Sequence, residues 1–130
     1  MKAELHLKKA RRFMATAKRL HLVDDFEAIM WANMHICTHW INAVFHENDL
    51  TAESYDFEHS WHLERCDDPE RIRNGLDQDM QTLLDTLTVF EALRTTYVRG
   101  PGPYGPEVLE RSYDDLERVR LITQKHFPEL

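Results

Sequence analysis

Leu76, Met80, Leu83, Leu87, Phe90, Arg94 and Tyr97 recur at alternating steps of four and three, and every member before Arg94 is apolar. That spacing lays the seven along one side of a single helix, the side that must pack on the rest of the fold. Arg94 is therefore directed toward protein. There its guanidinium either meets carboxylate, carbonyl or aromatic partners or, lying so near the helix end, extends its head group to solvent.

The same periodicity places three more long helices. The first is expected from about Lys2 to His21, with Leu5, Ala10, Phe13, Met14, Ala17 and Leu20 as its apolar stripe. Asp24 or Asp25 caps a second helix that reaches about His46. From Asn48 to Pro69 the pattern breaks; Asp49 or Thr51 is a start signal for a short helix, and a further one fits Ser54 to Cys66. Asp68 before Pro69 is an N-cap followed by proline at the first helical position, and Gly75 ends that short piece. The third long helix spans Leu76 to Val98. Gly100 to Pro106 reads as a rigid loop, and the last helix follows from about Glu107 to Lys125 on Val108, Leu109, Tyr113, Leu116, Val119 and Ile122. The expected fold is all-α: an antiparallel, up-and-down bundle of four long helices plus short ones, in one domain over residues 1–130.

A chain of 130 residues buries a core without disulfide or metal staples. Cys37 and Cys66 form no CxxC motif, so reduced, passive thiols are expected. Apolar runs are interrupted well before a membrane span and no hydrophobic signal core opens the chain, which points to a soluble, cytoplasmic protein. Net charge is −7, against a surface that embraces nucleic acid all round. Yet Lys2, Lys8, Lys9, Arg11, Arg12, Lys18 and Arg19 fall in the first twenty residues, opposed only by Glu4, so that segment carries +6 and the remainder −13. This strip is either a phosphate-binding face or a solvated helix face set against acidic neighbours.

On the second helix, Phe26, Ile29, Met30, Asn33, Cys37, Trp40, Ile41 and Val44 share one side, while His35, His39, Asn42 and His46 share the other beside Trp31. Imidazoles four residues apart have the spacing to share a metal ion, and His59 with His62 adds a second pair. His35, His39, His59 and His62 are thus the ligand set of a His-rich metal-binding bundle. The competing reading is a polar stripe at a subunit interface anchored by Trp31. No nucleophile elbow, Walker loop or GxGxxG occurs.

The stretches Asp25-Phe26-Glu27-Ala28-Ile29, Trp31-Ala32-Asn33-Met34 and Ala43-Val44-Phe45-His46 resemble the second helix of HEPN-domain proteins. Glu91-Ala92-Leu93-Arg94-Thr95-Thr96-Tyr97-Val98-Arg99-Gly100 resembles that family's arginine-bearing helix end. The resemblance implies a small helical bundle that dimerises, and many such proteins are metal-independent ribonucleases of toxin, antiphage or RNA-processing systems. Their signature is an Arg followed after four to six residues by His. Here the positions after Arg94 hold Arg99, Gly100 and Pro101 instead. Arg120 and His126 satisfy the spacing, but no further helix follows them.

Without that histidine, the resemblance implies a homodimeric binding module for a nucleotide, RNA or partner protein, with no cofactor. Arg94 and Arg99 would contact phosphate, Tyr97 would stack or hydrogen-bond, and His39, Asn42 and His59 would line the same cleft. The alternatives are a ribonuclease with a relocated histidine and the metal-binding bundle.

Overall fold

A computed structural model describes all 130 residues, and it is all-helical. The elements are α1 (Ala3–Ala17), α2 (Phe26–Glu47), a 3₁₀ turn (Ser60–Arg65), α3 (Pro69–Gly75), α4 (Gln78–Arg94), a π-helical turn (Thr95–Arg99) and α5 (Pro106–His126). No helix is long and apolar enough to cross a membrane.

Helix α2 lies at the centre, packed against α1, α4 and α5. Residues such as Ile29, Ile36, Cys37, Trp40, Ile41, Val44 and Phe45 are all but inaccessible, so α2 is buried around most of its circumference. Its two faces differ in partner chemistry and in exposure: Trp31 is exposed and His35 and His39 are half-buried, whereas Cys37 and Trp40 on the other face are inaccessible. The face carrying His35, His39, Asn42 and His46 is covered by α1 and the following loop of the same chain, and Asn42 and His46 are buried. The α4 seam packs as its spacing requires: Met80, Leu83, Leu87 and Phe90 are buried. The regular helix, however, starts at Gln78, because the Asp77 side chain accepts the Met80 N–H as N-cap; Leu76 stays outside.

Four other expectations need correction. Helix α1 stops at Ala17, four residues early, where tight turns closing on Met14, Thr16 and Ala17 carbonyls take over. Its buried positions are His6, Leu7 and Ala10, while Leu5 is 48% exposed. On α5, Tyr113 faces outward, and Ser112 and Asp115 occupy the interior instead. Asp25 stands at the N-cap of α2, but its carboxylate accepts the His21 N–H and caps nothing in α2.

The fourth correction builds the site. Asp49 does not start a helix; it ends one. Its φ is 53°, the Asp49 N–H bonds to the His46 carbonyl and the Leu50 N–H to the Phe45 carbonyl. That pair of bonds is a Schellman motif, with Asp49 in the left-handed position glycine usually takes. The motif buries Leu50 and turns the chain back along α2. Asn42 then fixes the returning strand of chain: it accepts the Phe57 N–H at 2.7 Å and donates to the Phe57 carbonyl at 2.7 Å. Phe57 is fully buried. The short helix does form at Pro69–Gly75, with Asp68 accepting the Arg71 N–H.

Because a non-glycine residue in the left-handed region costs about 1–2 kcal/mol, Asp49→Gly is expected to raise stability by about 0.5–1 kcal/mol. Asp49→Val should lower it, since a β-branched side chain tolerates this conformation least. Chemical denaturation of the two variants checks the order, and equal midpoints would contradict it.

Candidate functional site

The returning loop, α1 and α2 enclose a pocket of about 390 Å³ that α4 closes with Arg94. His6, Lys9 and Phe13 reach it from one side of α1, at steps of three and four. Trp31, His35, His39 and Asn42 reach it from α2 at the same kind of spacing, and Asp56, Glu58 and His59 come from the loop.

At the pocket wall the polar groups converge on one oxygen. Asp56 Oδ1 lies 3.0 Å from His6 Nε2, 2.8 Å from His46 Nε2 and 3.2 Å from the Met1 amino nitrogen. Both imidazoles are buried. Burial alone would raise the Asp56 carboxyl, but hydrogen bonds from His46, His6 and the amino group outweigh it and hold the carboxyl below its ordinary range.

An ionised carboxylate only accepts, so both histidines donate to it from Nε2. His46 Nδ1 then accepts from the Thr51 hydroxyl at 2.8 Å. His6 Nδ1 accepts from His39 Nδ1, 2.9 Å away. The outcome is a chain from Asp56 through His6 to His39, in which each member orients the next.

Burial, together with the neighbouring His6 and Lys9, pushes His39 down to about 4. Burial lowers His6 as well, against the opposing pull of Asp56. His35, stacked on Phe13 at 5.1 Å, is lowered by burial and by Arg94. These imidazoles are neutral near pH 7. Cys37, wholly buried, has its thiol pushed far above the ordinary range and is inert.

Of the residues singled out from sequence, Arg94, His39, Asn42 and His59 line this one pocket. Tyr97 and Arg99 do not. Tyr97 packs edge-on against Phe26, and Arg99 is exposed at the end of the π-helical turn. His59 is 3.3 Å from Glu91, which also holds the Ser60 N–H and hydroxyl. His35 and His39 stand 6.5 Å apart between ring centres, and His62 packs on His59 and Trp61 away from them. The trio whose ligand-type atoms all lie within 4.8 Å of one another is His6, His46 and Asp56.

Sequence reasoning missed His6 and Asp56. His6 carried a signal, being seven residues before Phe13 and four before Ala10 on the buried side of α1. Asp56, in a loop between two aromatic residues, carried none. No family model, curated protein or solved structure matches the chain.

His39 stays unprotonated in the folded state while the unfolded chain takes up a proton below the ordinary value of 6.5. Stability of EDTA-treated protein should therefore fall as pH drops from 6.5 to about 4. Asp56 acts in the same direction at the acid end, because its depressed carboxyl loses its bonds on protonation. Thermal melts across this range check the slope, and His39→Gln should flatten it; an unchanged slope in that variant would contradict the assignment.

Proposed function

We propose that the pocket binds a small phosphate-bearing ligand, a nucleotide in the first instance, in a chain whose four long helices form an up-and-down bundle. The observation that carries this is Arg94. It is half-buried on the pocket wall and has neither an ion pair nor a side-chain hydrogen bond within the chain. A desolvated guanidinium without a partner is costly, and an anion in the pocket supplies bidentate, charge-assisted hydrogen bonds.

Three features support the same ligand class. Lys9 stands at the mouth, next to a second shallow depression lined by Arg12, Phe13 and Thr16 on the unpaired basic face of α1. That face raises the local concentration of anions at the entrance. Trp31, 42% exposed, and Phe13 offer ring faces on which a base stacks. Finally, a volume of about 390 Å³ suits one nucleotide unit and excludes a duplex. A binding role also agrees with the resemblance to HEPN relatives that lack the catalytic histidine.

Titration with AMP and with inorganic phosphate, followed by tryptophan fluorescence and calorimetry, tests the proposal. Arg94→Gln should weaken binding by about ten- to a hundredfold, the range of one charge-assisted hydrogen-bonding group, with the fold intact. Equal affinity in that variant would contradict the proposal. Mixed RNA incubated with the protein in EDTA should stay intact; cleavage abolished by Arg94→Gln would make the site a nuclease with a relocated histidine.

A further inference from the structure

We propose that His6, His46 and Asp56 are the ligands of a divalent first-row transition-metal ion, held at the wall of the pocket with its remaining coordination positions toward the cavity.

Two imidazoles and one carboxylate form a donor set suited to zinc, iron(II), cobalt(II) or manganese(II); calcium and magnesium take oxygen ligands instead. The distances agree with the chemistry. Around an ion with bonds of about 2.0–2.2 Å, ligand atoms stand about 3.0–3.5 Å apart. His6 Nε2 and His46 Nε2 lie 3.0 and 2.8 Å from Asp56 Oδ1, and all three atoms fall within 4.8 Å.

The ligands come from three separate elements, α1, α2 and the returning loop, so the cluster is made by the tertiary fold and not by one helix turn. His6 and His46 line up their Nε2 atoms on a single carboxylate oxygen, and two of the three ligands also line the cavity. An ion there would keep an open side for a small molecule.

The outer groups are equally telling. A metal-binding histidine needs its second nitrogen to donate to an acceptor. For His46 that acceptor is the Thr51 carbonyl, 3.2 Å from Nδ1; for His6 it is His39 Nδ1, at 2.9 Å. When an ion replaces the two Nε2 protons, His6 and His46 switch to their Nδ1–H tautomers. Thr51 and His39 then accept where they previously donated. Each imidazole keeps a partner at Nδ1, and no net charge moves onto either. Thr51, which presents a hydroxyl and a carbonyl to the same nitrogen, serves either state.

The site stands on these residues alone and does not rest on anion binding at Arg94, so the test is run in chloride buffer without phosphate or nucleotide. Protein carrying no histidine tag and stripped with EDTA is titrated with Zn²⁺ by calorimetry and with Co²⁺ by visible absorption. The expected result is one ion per chain, a cobalt spectrum of a low-coordinate nitrogen and oxygen site, and a melting temperature that rises with metal concentration. Ca²⁺ should produce none of these.

Asp56→Asn and His46→Gln should each weaken Zn²⁺ binding by about a hundredfold or more, since even outer partners are worth about ten- to a hundredfold. His21→Gln, an exposed surface histidine, should leave binding unchanged. Zinc-edge X-ray absorption of the wild-type protein, which needs no variant to fold, should show two imidazole scatterers. Absence of stoichiometric binding, unchanged affinity in both ligand variants, or a zinc spectrum without imidazole would overturn the assignment.

Discussion

Helix α2 is buried along almost its whole length, and three of its buried polar side chains find partners on other elements. Asn33 donates to Ser112 of α5 at 3.2 Å, Asn42 clamps the Phe57 backbone, and His46 binds Thr51 and Asp56. A buried polar group left unpaired costs about 1–3 kcal/mol. The paired ones therefore fix positions that apolar packing alone would leave free. The loop from Thr51 to His59 has no regular structure of its own. It owes its course to the Schellman turn at Asp49 and to two polar residues of α2.

That course is also what makes a pocket. Had the chain left α2 outward at Asp49, His6 and His46 would face each other across α1 and α2 with no carboxylate between them. The turned-back loop brings Asp56 to both histidines and Glu58 and His59 to the rim. Arg94 closes the remaining side from the end of α4, just before the helix widens into the π-helical turn. Helices that widen in this way often do so beside functional sites. Below that turn the Gly102 N–H bonds to the Thr96 carbonyl at 2.9 Å, and a side-chain carbon at Gly102 would lie 2.6 Å from the same oxygen. The glycine-rich loop thus holds the end of α4 without touching the pocket.

Much of this was legible in the sequence. The α4 seam, the Asp68-Pro69 start and the all-α class all rest on short-range periodicity and capping, which one chain displays openly. So did the grouping of Trp31, His35, His39, Asn42 and His46 on one face of α2 and the inward direction of Arg94. What that face met was not legible. A stripe of imidazoles has the same spacing whether it meets another subunit, a metal or a loop of its own chain, and Asp56 sits in a segment without period. Asp49 was ambiguous for a specific reason: aspartate favours helix starts, and it is also among the few residues that tolerate the left-handed conformation that ends one.

The central claim is that polar satisfaction of α2 holds the loop in place and thereby creates the site, and Asn42→Leu tests it most directly. Leucine keeps the volume and removes both bonds to Phe57. Hydrogen exchange of this variant should show Thr51 to His59 losing protection while α1, α2 and α4 keep theirs, with binding of phosphate and of zinc lost together. Undiminished protection of the loop, with both ligands still bound, would contradict the account.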